Sequence, residues 1–326
     1  MLNHKRYPAQ ILVLLLLTGE LLIADIDPGG FQFTDGQVTV DIPFYTFNNQ
    51  VILTVIVNDK VPLNFILDSG SAQAIFFDRK LASQLGIGFG RKIQFSGVGD
   101  NNIVTAYRAR GVKLALPGVE GNMMGMAILA TDYLEMKRFD IHGVIGYQLF
   151  ARFAIKIDYQ TRTLSLMEPS MYQSDGYQSL PVEIKDSKPY LNTSIGLNGY
   201  QNVPLNLMID TGGSFGLSLI NGSHPAIRPP EDAYKVLVGS GLGGNLQGYR
   251  GKATLKFNKE LQTESDAIFI NHREFSKKGK DNSRSGSIGN DLFKEYVVIF
   301  DYVNSKILLQ PHKSDYYTGN YRLISN

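Results

Sequence analysis

An internal repeat constrains the fold of this chain more than any other feature of its sequence. Gly143-Val-Ile-Gly-Tyr-Gln-Leu-Phe150 corresponds to Gly286-Ser-Ile-Gly-Asn-Asp-Leu-Phe293. Earlier in the chain, Val61-Pro-Leu-Asn-Phe-Ile-Leu-Asp-Ser-Gly70 aligns with Val203-Pro-Leu-Asn-Leu-Met-Ile-Asp-Thr-Gly212, at a separation only one residue shorter. Because the separation stays nearly constant over such a distance, the sequence predicts two copies of one folding unit with few net insertions.

The repeat sets the expected domain boundaries. We expect one lobe over residues 36–168 and a second over residues 178–312, joined by the Ser-, Tyr- and Gly-rich stretch at 168–176. Short runs that mix β-branched and apolar residues, such as Gln50–Val57 and Lys252–Phe257, are typical of strands. The sequence therefore predicts an all-β, two-lobed fold.

A single helix is predicted in the first copy. Asp78 is placed to cap it, Lys80–Leu85 to form its body and Gly86 to end it. The remaining segments are punctuated by Gly, Asn and Pro and are interpreted as strands and turns.

Composition narrows the function classes. The net charge is only +2, and no long basic or acidic run is present, which argues against a nucleic-acid partner. The absence of cysteine excludes a disulfide framework, a thiol nucleophile and a thiolate metal site. Since the five histidines show no metal-ligand spacing, we expect neither a metal nor an organic cofactor.

Each copy contains an apolar strand that runs into an Asp-Ser/Thr-Gly triplet, Asp68–Gly70 in the first and Asp210–Gly212 in the second. One such triplet occurs often by chance, whereas two at matching positions of a repeat are far more specific. The strand anchors the backbone in the core, and the glycine lets the chain turn sharply. The hydroxyls of Ser69 and Thr211 are expected to join the two loops by hydrogen bonds.

Two carboxylates held face to face suit the hydrolysis of a peptide bond. Asp68 and Asp210 cannot both ionise cheaply when they are close, so the pair is expected to share one proton. One carboxylate can then take a proton from a bound water while the other protonates the substrate carbonyl.

These motifs resemble those of the aspartic peptidases. Leu67-Asp-Ser-Gly-Ser-Ala72, followed by Ile75-Phe-Phe77 and Lys80-Leu-Ala-Ser-Gln-Leu-Gly86, is similar to the retropepsin-like branch, and the fused two-lobed layout resembles pepsin. The resemblance implies an aspartic endopeptidase that acts on a peptide or protein and needs no partner subunit, because one chain holds both carboxylates. It implies the catalytic residues Asp68 and Asp210 and the supporting residues Ser69, Gly70, Ser71, Thr211 and Gly212.

Two further family motifs are expected. In the family, two apolar residues and a glycine thread beneath each catalytic loop; Val144-Ile-Gly146 fits this, and Ser287-Ile-Gly289 fits less well because Ser287 is polar. Glycine-rich hairpins, called flaps, close over the substrate, and Phe95–Asp100 and Val238–Gly244 are the candidates. The flap residues expected to contact substrate are Gly97, Val98, Gly99, Gly241 and Gly243.

One position departs from the pepsin pattern. Ser71 matches the hydroxyl residue that hydrogen-bonds the outer carboxylate oxygen, whereas Gly213 in the second copy cannot donate such a bond. Losing a donor disfavours the ionised form of a carboxylate. We therefore hypothesise a working pH that is mildly acidic or neutral rather than strongly acidic.

Other interpretations stay open. Asp68 and Asp210 could be ordinary turn residues, the flap glycines could be plain hairpin turns, and the fold could bind peptides or serve envelope assembly without catalysis. Paired carboxylates also serve glycoside hydrolases. Gly212-Gly-Ser-Phe-Gly216 formally matches a serine-hydrolase elbow, and Gly239–Gly244 a dinucleotide loop, but neither is followed by an expected helix.

The N-terminal segment predicts export. Residues 1–24 combine a basic start, His4–Arg6, with an apolar run at Ile11–Leu17 that is too short to span a bilayer comfortably. A signal peptide over 1–24 is the leading interpretation, and a retained anchor or a start site placed too early are the alternatives. We expect a location in the bacterial periplasm, in the cell envelope or outside the cell.

Overall fold

The computed structural model describes residues 30–97, 99, 103–259, 261–271, 284–312 and 321–323. The predicted signal peptide and Val98 lie outside these residues. The described chain is built mostly of strands, which confirms the predicted β class. The strands are β1 Phe31–Phe33, β2 Thr39–Pro43, β3 Tyr45–Phe47, β4 Gln50–Val57, β5 Val61–Leu67, β6 Ala74–Phe76, β7 Lys92–Ser96, β8 Ile103–Leu116, β9 Val119–Leu129, β10 Gly143–Ile145, β11 Ala154–Asp158, β12 Thr163–Met167, β13 Gln178–Pro181, β14 Glu183–Lys185, β15 Lys188–Leu197, β16 Tyr200–Asp210, β17 Leu217–Asn221, β18 Tyr234–Gly241, β19 Gly244–Lys256, β20 Leu261–Asn271, β21 Gly286–Gly289, β22 Tyr296–Asp301, β23 Lys306–Pro311 and β24 Tyr321–Leu323.

Three sheets organise these strands. A nine-stranded sheet has the order β1-β9-β6-β10-β5-β4-β8-β7 with β3 beside β4, and a second has the order β14-β15-β16-β21-β17-β20-β19-β18 with β24 beside β20. The third sheet has six strands in the order β13-β23-β22-β11-β12-β2. Strands β11 and β22 meet in its middle, where Ile155 lies opposite Phe300. This six-stranded sheet therefore takes three strands from each side of the predicted linker.

The strands that carry the two aspartates have the same neighbours. In the first half, Val144 of β10 pairs in parallel with Ile66 and antiparallel with Ile75. In the second half, β21 lies in the same way, parallel to β16 and antiparallel to β17. Each aspartate thus ends a strand, or directly follows one, in the interior of a sheet.

Alternation along these strands sends side chains to two cores. Leu67 and Ile145 belong to the largest cluster, which continues into the second half of the chain through residues such as Ile209 and Ile288. Their neighbours Ile66, Ile75 and Val144 face the other side of the first sheet. Because both faces of β5 and β10 are packed with apolar side chains, the loop that follows β5 has a rigid base.

Among the residues that the structure describes, four short helices accompany the strands. The helix α1, Arg79–Gln84, begins after Asp78, whose carboxylate accepts the Leu81 N–H at 2.8 Å. This confirms the predicted helix, shifted by one residue from Lys80–Leu85. The sequence missed three others, since four or five residues are too few to show a helical period. They are α2 Leu134–Arg138, α3 Tyr147–Phe150 and α4 Asn290–Phe293.

Two rival motifs lack the context they require. The segment after Gly212–Gly216 is strand β17, so the serine-hydrolase elbow has no helix to follow it. Gly239–Gly244 lies in the hairpin of β18 and β19 rather than between a strand and a helix. Among the residues that the structure describes, no helix is long and apolar enough to cross a membrane.

Candidate active site

Asp68 and Asp210 come together where the two catalytic loops meet. Asp68 directly follows β5, and Asp210 is the last residue of β16. Both side chains are completely buried. In the described part of the chain, no group of three or more His, Asp or Glu side chains is arranged to hold a metal.

Four hydrogen bonds join the two loops reciprocally. The Ser69 hydroxyl donates to the Ile209 carbonyl and accepts the Thr211 N–H, each at 2.9 Å. The Thr211 hydroxyl donates to the Leu67 carbonyl and accepts the Ser69 N–H, also at 2.9 Å. The expected bracing by Ser69 and Thr211 is therefore present, with each hydroxyl reaching the strand of the opposite half.

The glycines of the triplets sit where no side chain would fit. A Cβ at Gly212 would lie 2.4 Å from Cγ of Asp68. A Cβ at Gly70 would lie 3.2 Å from Oδ1 of both Asp68 and Asp210. Each glycine thus lets the opposite loop bring its carboxylate close to the other.

Val144-Ile-Gly146 and Ser287-Ile-Gly289 each lie beside the triplet loop of their own half. The Asp68 N–H donates to the Ile145 carbonyl at 2.9 Å, and the Tyr147 N–H donates to the Ser71 carbonyl at 3.0 Å. In the second half, the Asn290 N–H donates to the Gly213 carbonyl at 2.9 Å. Backbone hydrogen bonds therefore tie each loop to the glycine-containing segment of its own half.

The role expected for Ser71 was wrong in one respect. Its hydroxyl donates to the Gln73 carbonyl at 2.7 Å rather than to the Asp68 carboxylate. That turn satisfies the hydroxyl locally, and Asp68 instead accepts the Gly70 N–H at 2.7 Å. Neither aspartate receives a hydroxyl donor from the position after its triplet, so Gly213 does not distinguish the two carboxylates in this way.

Burial, rather than a missing hydrogen-bond donor, is the main cause of the raised pKa values of Asp68 and Asp210. It raises the pKa of Asp68 well above the usual 3.8, and the negative charge of Asp210 raises this pKa further. Burial also raises the pKa of Asp210, to about 7, and the positive charge of Arg284 is the largest influence opposing this rise. Asp210 is therefore the first of the pair to ionise, and Asp68 keeps the shared proton.

Side chains that the sequence did not single out also hold the loops. The Gln50 side chain donates from Nε2 to the Gly212 carbonyl, and Asn290 donates from Nδ2 to the Thr211 carbonyl. Asn290 is oriented by the Tyr159 hydroxyl, which donates to its Oδ1 at 2.6 Å. These residues lie outside any motif, and only the strand register identifies Gln50 as a neighbour of the site.

Two buried cations near Asp210 were also missed. Lys188 is 3% exposed and Arg284 is 7% exposed. Both positive charges lower the pKa of Asp210, and that of Lys188 also lowers the pKa of Asp68. Neither cation stands in a recognisable sequence pattern. The Arg284 guanidinium donates to the hydroxyl of Ser287, the polar residue that made the second glycine motif fit poorly.

The tips of the two predicted flaps meet. The hairpin of β7 and β8 carries Gly97 and Gly99, where an added Cβ would lie 2.7 Å from Gly243 N and 2.5 Å from Gly243 C, respectively. The Tyr133 hydroxyl donates to the Gly241 carbonyl at 3.4 Å. These contacts bring the two hairpin tips against each other. Two cavities of about 880 Å³ lie elsewhere on the chain, and neither is lined by Asp68 or Asp210.

The first half of this site matches a known family. Residues 53–149 match the family model for aspartyl proteases. The matched segment contains the Asp68 triplet, Gly97, Gly99 and Val144-Ile-Gly146, and it ends before the second half begins. No match was found among curated proteins. The match supports a relationship to the aspartyl proteases for the segment that it covers, which is the first half of the site.

Proposed function

We propose that the chain is an aspartic endopeptidase in which Asp68 and Asp210 activate one water. The observation that carries this proposal is the reciprocal set of hydrogen bonds made by Ser69 and Thr211, which joins two loops that each begin at a buried carboxylate. Turn residues with no chemical role are usually solvated, and burying two of them together would cost free energy without a return.

The protonation states of the two aspartates suggest which one acts as the base and which one as the acid. Asp210, the more acidic of the pair, accepts a proton from the attacking water. Asp68 donates its proton to the carbonyl oxygen of the scissile bond, which yields a tetrahedral intermediate. The proton on Asp210 then passes to the leaving nitrogen as the C–N bond breaks, and Asp68 recovers a proton from the collapsing hydroxyl.

The same proposal includes two copies of one unit, over 36–168 and 178–312, acting as a monomer. The matching strand neighbours of β5 and β16 support it. Substrate would enter when the flaps separate and would bind in an extended form by main-chain hydrogen bonds. The flap residues Gly97, Val98, Gly99, Gly241 and Gly243 would line this path, without a metal or organic cofactor.

Cleavage of casein between pH 3 and pH 8 tests the proposal. We expect the wild type to cut, and Asp68→Asn and Asp210→Asn to lose activity by at least about a thousandfold because each removes a proton-transfer group. Asp175→Asn, at an exposed position, is the matched control and is expected to retain activity. Activity surviving in both active-site variants would refute the assignment.

The alternative is a non-catalytic peptide-binding or envelope assembly protein. It becomes the leading interpretation if the wild type cuts nothing while a peptide transition-state mimic raises its melting temperature. We also propose that residues 1–24 direct export to the periplasm, the envelope or the medium. Cell fractionation with N-terminal sequencing of the recovered protein tests this separately.

A further inference from the structure

The side chains around the two aspartates differ in character between the halves. On the Asp68 side, the register places Ile52, Ile66, Val144 and Ile75 next to one another on one sheet face. We call these four residues the first chamber. All four are buried within one apolar cluster, against which Leu242 from the tip of the second flap also packs. The first chamber is therefore dry and in contact with an apolar side chain.

The corresponding face on the Asp210 side carries two serine hydroxyls as well as apolar side chains. The same pairings place Tyr190, Met208, Ser287 and Ser218 next to one another, and we call these four residues the second chamber. Ser287 and Ser218 replace Val144 and Ile75. Both serines are completely buried, and the Ser218 hydroxyl has no hydrogen-bond partner within the described part of the chain. Burying a hydroxyl without a hydrogen-bond partner costs free energy, and a bound polar group that supplies a partner would remove this cost.

Two cations adjoin the second chamber and have no charged counterpart in the first. Lys188 stands two residues before Tyr190, and Asp210 stands two residues after Met208, so the antiparallel register sets Lys188 beside Asp210 on the same face. The neutral Gln50 holds the equivalent position beside Asp68, since Ile52 pairs with Ile66.

Arg284 completes the difference. Its Nε donates to the Gly286 carbonyl at 3.0 Å, and its guanidinium donates to the Ser287 hydroxyl. Ile141, an apolar residue, precedes β10 at the same distance as Arg284 precedes β21. At these four matched positions, the second half thus has two cations and two serines where the first half has neutral or apolar residues.

The charge of Lys188 is only partly balanced by its surroundings. Among the described residues, the influences on its ammonium group are burial and neighbouring charges rather than a hydrogen bond. Burial and the positive charge of Arg284 lower the pKa of Lys188 to about 8, while Asp186, Asp68 and Asp210 act in the opposite direction. Lys188 is therefore cationic at neutral pH. A nearly buried ammonium group is more favourable when an anion lies against it.

We propose that Lys188 and Arg284, with Ser218 and Ser287, form an anion-binding subsite that accepts a substrate carboxylate next to the scissile bond. This inference rests on the proposed function. A peptide bond held at the dyad presents its two flanking side chains to opposite halves. The first chamber takes an apolar side chain, and the second takes an aspartate or glutamate. The enzyme accordingly cuts between an apolar and an acidic residue.

Paired peptides test the proposal. One member carries Glu beside the scissile bond and the other carries Gln, and each is made with a free and an amidated C-terminus. A charge-assisted hydrogen bond in a buried subsite corresponds to about a 10- to 100-fold preference in kcat/KM for Glu. We expect Lys188→Gln, which imports the residue of the first half, to reduce this preference to near unity. Lys188→Arg keeps the charge and is expected to keep much of the preference.

The outcomes separate this inference from the proposed function. Equal wild-type rates on Glu and Gln peptides, whether free or amidated, overturn it. So does a Lys188→Gln variant that slows all peptides equally, because the cation then acts only on Asp210. A preference that depends on the free C-terminus rather than on Glu supports the subsite and assigns the carboxylate to the chain end.

Binding to the Asp68→Asn variant gives a readout that does not need catalysis. We expect calorimetry to show tighter binding of the Glu peptide than of the Gln peptide, and a loss of this difference when Lys188→Gln is added. If the wild type cuts nothing but this difference is present, the proposed function fails and the subsite stands. If the wild type cuts and neither rates nor affinities differ, the subsite fails alone. Circular dichroism establishes that each variant is folded.

Discussion

Replacing Asp210 by Asn is expected to stabilise the folded protein at neutral pH. Burial raises the pKa of Asp210 from 3.8 to about 7, so between these values the unfolded chain ionises this group while the folded chain does not. The protonated form of Asp210 contributes its full stability to the folded protein below 3.8, the pKa of this group in the unfolded chain. That contribution is lost as the pH rises toward 7. At 1.36 kcal/mol per pKa unit, the penalty rises from less than about 1 kcal/mol at pH 4 to about 4 kcal/mol at pH 7.

The pH dependence separates this effect from other consequences of the substitution. Asn removes the titration, whereas any cost of burying its amide is the same at both pH values. Removing the charge of Asp210 also relieves its repulsion of Asp68, which acts in the same direction. We therefore expect the variant to gain about 3 kcal/mol relative to wild type between pH 4 and pH 7.

Urea denaturation of both proteins at pH 4 and pH 7 measures this gain. The exposed Asp175→Asn variant is the control and should follow the wild type at both pH values. A variant whose free energy of unfolding, relative to wild type, is the same at pH 4 and pH 7 would refute the reasoning, because Asp210 would then titrate alike in the folded and unfolded chains.

Three further predictions concern the same site. The wild-type rate should rise as the pH passes through about 7, where Asp210 ionises, and Lys188→Gln should move this limb to higher pH because it removes a cation that favours ionisation; a pH–rate profile with its optimum near pH 2 would contradict both. Ser69→Ala deletes two hydrogen bonds between the loops and should cost about 2 kcal/mol in urea denaturation, against about 1 kcal/mol for the local bond lost in Ser71→Ala. Gly212→Ala places a Cβ 2.4 Å from Cγ of Asp68 and should abolish casein cleavage; normal activity of this variant would contradict the prediction.

The sequence predicted the parts of the site that are repeated. Asp68 and Asp210 stand in matching triplets, and the hydroxyls beside them have few other groups to bond in so tight a turn. The helix after Asp78 was also predictable, because its cap and its terminal glycine are local signals. Family resemblance added the threading of Val144-Ile-Gly146 beside the first loop.

The missed residues act through register and packing rather than through local sequence. Gln50 and Lys188 neighbour the aspartates only because of how β4 pairs with β5 and how β15 pairs with β16. The sequence does not show whether the Ser71 hydroxyl donates to the Asp68 carboxylate or to the Gln73 carbonyl, and the structure has the second of these bonds. Arg284 was hidden for a different reason, since an isolated arginine is usually a surface residue.

The shared six-stranded sheet limits how the molecule can be divided. Strand β11 of the first half pairs along its length with β22 of the second, so a gene fragment that ends near residue 168 would leave that edge without hydrogen-bond partners. Exposed edges of this kind recruit further strands. A separately expressed half would tend to associate with a second copy of itself, and mixing the two fragments could restore the site by complementation. In the intact chain the same pairing holds the two halves together along these strands, so we expect the aspartates to be reached by movement of the flaps rather than by separation of the halves.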